Sequence, residues 1–398
     1  MSPTSPIPII IGMAVALITV GFFNKWQFSS VGMNRFASID GLRGLLAFSV
    51  FLHHSCYWYF YLQTGEWQDP PSNLYHHLGL SSVAIFFMIT AFLFYSKILD
   101  GRHTSVDWVR LFVSRFLRLT PLYLLALLII FLIVAVLSRG ILLVSVSSLM
   151  VQIAEWASFT ILIDPDINAL KQTYLIVAGV TWSLRYEWLF YVSLPIWALT
   201  CRTKVATKWI VLSTFLVIFF ILFCGINEMR FCAFFGGILA AVCARSEFIK
   251  NLLSKGWVSL VVVVAAILLI FLYHETWEVP ELLLLSIIFI PIACGNTLWN
   301  ILTGRLLVRL GEASYGIYLL HGIFLYVVFK ILIGVSVAAT LTPLEFWGVV
   351  ILIVPFLVSL TLYTYEHLEL PFIRSASATT TWIRGVITNT SRKLPNSQ

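Results

Sequence analysis

Charge is what this sequence has least of. Asp, Glu, Lys and Arg make up 11% of its 398 residues, and 60% are hydrophobic. An ordinary soluble domain carries about 25% charged residues, so a water-facing globular fold is excluded. Cysteine motifs are lacking too. Cys56, Cys201, Cys224, Cys232, Cys243 and Cys294 form no CxxC pair and lie mostly within apolar runs. They read as buried thiols, not as disulfides or metal ligands. The eight histidines show no HxxxH spacing, so no metal site is expected. No P-loop occurs, which leaves ATP hydrolysis without support. The net charge of +7 sits mostly in short loops. It sets membrane orientation and does not mark a nucleic-acid partner.

What the sequence has is apolar length. Many runs reach the ~17–25 residues that a spanning helix needs, and they are unbroken rather than alternating as barrel strands are. The expected fold is an all-α polytopic membrane protein. Spans are expected near 7–23, 40–61, 78–97, 120–138, 180–199, 209–224, 231–245, 257–273, 280–296, 313–334 and 345–365. The first run, "PIPIIIGMAVALITVGFF", has no positive flank before it and no A-x-A signal after it. It is expected to be a retained helix rather than a cleaved signal.

Loop charge orients these spans. Lys25 and Arg35 place the first connection inside. Arg102, Arg110, Arg115 and Arg118 do the same for 98–119. Further inside loops are 200–208 (Arg202, Lys204, Lys208), 245–256 (Arg245, Lys250, Lys255) and 297–312 (Arg305, Arg309). The loops 63–77 (Glu66, Asp69) and 274–279 (Glu275, Glu278) fall outside. The positive-inside rule then puts the amino terminus outside and the carboxyl terminus in the cytoplasm, in a multi-pass cytoplasmic (inner) membrane protein. The apolar segment 140–163 would reverse this pattern if it spanned. It is therefore expected to be a re-entrant or interfacial helix on the outer side. The tail 375–398 is rich in Ser, Thr and Asn and is expected to be disordered.

The second span, "SIDGLRGLLAFSVFLHHSCYWYF", holds an aspartate, an arginine and two histidines. At 100° per residue, Asp40, Arg43, Gly44, Ala47 and His54 share one stripe, and Gly44 and Ala47 leave room beside it. His53 points about 100° away and reads as structural. Arg43 and His54 are ~16 Å apart along the axis, and Asp40 and His54 ~21 Å. Asp40 is thus expected to pair with Arg43 or a loop cation. Ionisable groups at such depth usually face a cavity or a partner. A neutral imidazole there is a competent general base.

Six blocks, in order, resemble those of the membrane acyltransferase-3 family. They are "IDGLRG" with a histidine eleven residues after Arg43, "SSVAIFFMITAFLF", "SRFLRLTPLYLL", "TWSLRYEWLFYVSLPI", "LGEASYGIYLLHGIF" and "LELPF". Thr90 and Ala91 stand where the family pattern has serine and glycine, and the fifth block lacks the pattern's proline. The resemblance covers about 33–374. It implies a ten-helix core, with 1–32 an added amino-terminal transmembrane helix, so about eleven transmembrane helices in all.

The resemblance implies an integral membrane O-acyltransferase acting on extracytoplasmic acceptors. The donor would be a cytoplasmic acyl-CoA, expected to be acetyl-CoA, used as a substrate with no bound cofactor. The acceptor would be a hydroxyl of a glycan or lipid-linked saccharide such as O-antigen or another surface polysaccharide. His54 would be the general base or would carry the acyl group itself. Arg115 and Arg118, at i and i+3, become candidates with Arg43 for the phosphates of acyl-CoA. Ser183, Glu187 and Tyr191 share a helix face. For Glu187 two roles stand side by side: a packing bond to a neighbour such as His54 or Tyr315, or catalytic work on the acceptor hydroxyl and His54. Ser314, Tyr318 and His321 share another face, and His321 is a supporting histidine. Glu369 is read as structural, paired with a loop arginine. The rival class is a transporter or flippase, in which the same polar residues bind a substrate or relay protons.

Overall fold

The computed structural model describes residues 2–24, 36–102, 106–201, 203–274 and 277–393, with side chains as far as 386. Among the described residues the fold is all helical, with no strand. The helices are α1 (Ile7–Asn24), α2 (Ala37–Thr64), α3 (Asn73–Asp100), α4 (Trp108–Leu137), α5 (Val146–Ala157), α6 (Trp182–Thr200), α7 (Thr207–Phe223) and α8 (Glu228–Cys243). They continue with α9 (Glu247–Leu253), α10 (Gly256–Leu272), α11 (Val279–Ala293), α12 (Arg305–Glu312), α13 (Ser314–Tyr326), α14 (Val335–Ala338), α15 (Pro343–Thr364) and α16 (Leu370–Lys393). Two π-helical segments, Val327–Leu332 and Tyr365–Glu369, extend α13 and join α15 to α16.

Each of the eleven expected segments coincides with a helix. By length and composition, four stretches can cross a bilayer: α3, α4, Ser314–Leu332 and Pro343–Val386. A fifth is added if α8 and α9, bent by 111°, count as one span. These mark a membrane protein. Helices α1, α7, α10 and α11 are shorter and apolar. Helix α2 carries Asp40, Arg43, His53 and His54, and α6 carries Arg185 and Glu187; neither is among the candidate spans. The loop residues Lys25, Arg35, Arg202 and Glu275 lie outside the described residues.

Segment 140–163 holds one twelve-residue helix, α5. At 1.5 Å per residue it is ~18 Å long, too short to cross. Ser145 caps it, and Val146, Met150 and Val151 stay exposed. Trp156 is its anchor, fully buried, with its carbonyl accepting from Tyr123 at 2.7 Å and its Nε1 donating to Pro165 at 2.9 Å. The tail 375–398, expected to be disordered, differs from expectation: 375–393 continue α16, which packs along α4, and 394–398 lie outside the described residues. Ala376 and Thr380 are buried, and Arg384 pairs with Asp107 at 2.5 Å. The hydroxyls of Ser375, Thr379, Thr380 and Thr381 donate to preceding carbonyls, which lets a polar sequence stay helical.

Successive long helices run between two ends. At one end Arg245 joins Asp100 at 2.6 Å. At the other, Asn73 donates to the Ile270 carbonyl at 3.1 Å and Tyr61 reaches Gln172 at 3.3 Å. The first end gathers Arg110, Arg245, Lys250, Lys255, Arg305 and Arg309 and is called the basic end below.

Helix α2 packs against α3, α12 and α13. Its approach to α12 is backbone on backbone. A Cβ on Gly44 would lie 2.7 Å from both the Leu307 oxygen and the Gly311 nitrogen, and one on Gly311 would overlap the Asp40 carbonyl. Gly44 was expected to widen the stripe beside Arg43; it admits α12 instead. Ala91 has a matching explanation. A Cβ on Gly237 of α8 would come within 2.7 Å of the Ala91 Cβ, so Gly237 makes the room that a glycine at 91 would otherwise supply.

Candidate active site

Two polar layers sit inside this bundle. The first is a cavity of about 120 Å3, lined from α2, α3, α4, α6 and α13. Arg43, Arg115 and Arg118 line it, together with Thr90, Ser183, Glu187, Tyr191, Ser314, Tyr315 and Tyr318. Along α3 it runs from Val83 to Phe94, about 16 Å. Helical phase explains the arginines. Arg115 and Arg118 sit one turn apart near the start of α4, and Arg43 sits two turns into α2, so all three enter from the basic end.

Charge in this cavity is only partly balanced. Arg43 lies 3.5 Å from Asp40. Arg115 stacks on the Phe94 ring at 4.7 Å. Neither Arg115 nor Arg118 has an ion pair among the described residues. Glu187 accepts from the Tyr191 hydroxyl at 2.7 Å. Glu369, turned inward by the π-helical segment, is fully buried, and neither carboxylate oxygen has a hydrogen-bond partner. The Ser314 hydroxyl is buried and unpartnered as well. Buried polar groups are seldom left so. Of the two, Ser314 lines the cavity, where a bound molecule can satisfy its hydroxyl; Glu369 is not part of that lining.

Tyr318 ends the cavity. Its hydroxyl bonds the Ser183 hydroxyl at 2.8 Å and donates to the Val180 carbonyl at 3.1 Å. One turn further along α13 lies the second layer. His321 Nε2 is 3.0 Å from His54 Nδ1. His321 Nδ1 is 2.9 Å from the Ile317 carbonyl, and His54 Nδ1 is 3.1 Å from the Val50 carbonyl. A carbonyl can only accept. In neutral rings, therefore, His321 carries its proton on Nδ1 and offers a lone pair at Nε2. His54 then carries its proton on Nδ1 as well, and its Nε2 is left with a lone pair. This tautomer is assigned from the hydrogen-bond network. No hydrogen bond to His54 Nε2 occurs among the described residues. Trp67, from the loop after α2, stacks on the His54 ring at 6.3 Å with 15° between planes.

The structure thus sorts the expected residues into groups. Arg43, Arg115, Arg118, Ser183, Glu187 and Tyr191 meet in the cavity. His54 does not line it; it lies beyond Tyr318, on His321. Glu187 bonds neither His54 nor Tyr315; the Tyr315 hydroxyl donates to the Leu119 carbonyl at 3.0 Å. Asp40 pairs with Arg43 as expected. Glu369 was expected to pair with a loop arginine, yet it makes no ion pair among the described residues. His53 is buried and bonds the Tyr75 carbonyl at 2.7 Å. Thr90, noted from sequence only as the residue at the family pattern's serine, lines the cavity. Two contributors were not singled out. Phe94 follows α3's inward face, at the end of a block read for its family pattern and apolar length. Trp67 sits in a loop with no periodicity to betray it.

A family model described as an acyltransferase domain matches residues 36–363. Neither a curated protein nor a solved structure matches the chain. The match covers most of the bundle, including α2 with Arg43 and His54, the Arg115 and Arg118 turn, and His321. The chain belongs to the membrane acyltransferase-3 family, whose general chemistry is acyl transfer.

Proposed function

We propose that the protein moves an acetyl group from cytoplasmic acetyl-CoA to a hydroxyl of an extracytoplasmic or lipid-linked glycan. In this reading eleven helices cross the cytoplasmic membrane, the basic end faces the cytoplasm, and the amino terminus lies outside. The positive-inside rule supports that orientation.

The observation that carries the reading is the sequence of layers. Arg115 and Arg118, with no ion pair among the described residues, stand on the side where a charged donor enters. The His54–His321 pair stands one turn beyond the cavity's end. Arginine forks suit donor phosphates.

In direct transfer, His54 Nε2 takes the proton from the acceptor hydroxyl. The hydroxyl oxygen forms a bond to the thioester carbonyl carbon, the carbon–sulfur bond breaks, and the proton passes on to the leaving thiolate. In a relay, the same Nε2 attacks the thioester carbonyl carbon and the carbon–sulfur bond breaks with CoA leaving as thiolate; the hydroxyl oxygen then takes the acyl group as the bond to Nε2 breaks, and the hydroxyl proton passes to the thiolate. Both routes need the lone pair on Nε2, and His321 holds the proton on the other nitrogen. For the atoms to meet, the Tyr318–Ser183 contact must open.

Mass spectrometry of the surface polysaccharide with and without the gene tests this. A gain of one acetyl ester per repeat is expected. Movement of an unmodified glycan across the membrane, with no ester formed, would contradict it and favour a transporter.

A further inference from the structure

A second pocket lies at the basic end, outside the cavity just described. It is formed where α3 meets α4, has a volume of about 440 Å3, and is lined by Lys97, Asp100, Asp107, Arg110 and Ser114 among others. Two of these are carboxylates, and both are already engaged. Asp100 accepts from Arg245 at 2.6 Å. Asp107 caps α4 through the Arg110 amide at 3.1 Å and pairs with Arg384 at 2.5 Å. Lys97 and Arg110 have no ion pair among the described residues. The pocket therefore presents two uncommitted cations beside two neutralised carboxylates.

It also adjoins the cavity. The Lys97 ammonium lies 5.2 Å from the Phe94 ring centroid, and the Arg115 guanidinium lies 4.7 Å from the same centroid. Phe94 lines the cavity. A cation of each space thus lies against the same aromatic ring. Along α4, Arg110 precedes Arg115 by ~7.5 Å and Arg118 by ~12 Å.

We infer that this pocket is a second phosphate site, which binds the 3′-phosphate of the donor's nucleotide through Lys97 and Arg110. Arg115 and Arg118 then hold the diphosphate, and the thioester arm lies in the cavity. A nucleotide with phosphates on both sides of its ribose matches cations in two adjoining spaces. Charge-assisted bonds to phosphate from an ammonium and a guanidinium are the strong class. The inference rests on the proposal that the donor is an acyl-CoA.

The test compares acetyl-CoA with acetyl-dephospho-CoA, which lacks only the 3′-phosphate. The full-length protein is assayed in nanodiscs of neutral lipid and again with anionic phosphatidylglycerol. The wild type is expected to prefer acetyl-CoA by about tenfold or more in kcat/KM, the size of one charge-assisted bond. In Lys97→Ala with Arg110→Ala the ratio should fall toward one, and in Lys97→Gln alone it should fall partway. The ratio is taken within each variant, so partial loss of folded protein cancels. A wild-type ratio near one, or a double variant that keeps the wild-type ratio, overturns this site and leaves the donor reading standing. Anionic lipid that changes the rate with both donors alike, through Lys97 and Arg110, assigns the pocket to a lipid headgroup and also overturns it. A wild type that uses neither donor overturns both.

Discussion

The arginine cavity and the histidine pair lie one turn apart on α13, yet they are built on opposite principles. The cavity is lined by Arg115 and Arg118, which have no ion pair among the described residues, and by the Ser314 hydroxyl, which has no hydrogen-bond partner among them. The histidine layer is nearly closed upon itself: each ring engages a carbonyl one turn back on its own helix, and one ring bonds the other. The first layer is incomplete until something charged arrives. The second is complete except at one atom, His54 Nε2. A site that must hold a donor needs the first design, and a site that must hold a proton in one place needs the second.

That contrast can be broken at either layer. The largest effect is expected from His54→Ala. Removing the base should lower kcat by about 10³-fold, within the usual 10²–10⁴ for general acid–base groups. Donor affinity should change by less than about twofold, because His54 does not line the cavity; equilibrium binding of labelled acetyl-CoA checks the second half. Arg115→Ala with Arg118→Ala should do the reverse. Donor Kd should rise about 50-fold, from the loss of charge-assisted contacts.

His321 should behave as a positioning residue. His321→Ala should cost about 30-fold in kcat, and His321→Gln, whose amide oxygen can still accept from His54 Nδ1, should recover part of it. A merely structural role would show no such recovery. The smallest effect is expected at the boundary. Tyr318→Phe removes the bonds to Ser183 and Val180 and should change kcat by about threefold, on the scale of one neutral hydrogen bond.

Much of this was legible in the sequence because helical phase is local. Residues on α2 alone put Asp40 beside Arg43, turned His53 away from His54, and spaced Arg43 from the second histidine. The i, i+3 spacing of Arg115 and Arg118 put both on one wall. What phase cannot give is which face of one helix meets which face of another. His54 meets a histidine 267 positions later, and no pattern within α2 announces it. Glu187 could be set on α6's inward face but not assigned to the arginines over the histidines. Gly44 was legible as small, yet its smallness serves α12. The tail after Arg374 misled by composition, because Ser and Thr in helix bond their own carbonyls while the helix packs on α4.

The central claim is that a donor held at the basic end is used by a base beyond the cavity's end. Sealed membrane vesicles from cells carrying the gene test it most directly. Labelled acetyl-CoA is added to everted vesicles, which expose the cytoplasmic face, and to right-side-out vesicles, which do not. Hydroxylamine-labile label on lumenal glycan is then measured. The account predicts label in everted vesicles with the wild-type protein, none in right-side-out vesicles, and a loss of about 10³-fold with His54→Ala. Undiminished labelling by His54→Ala would contradict it.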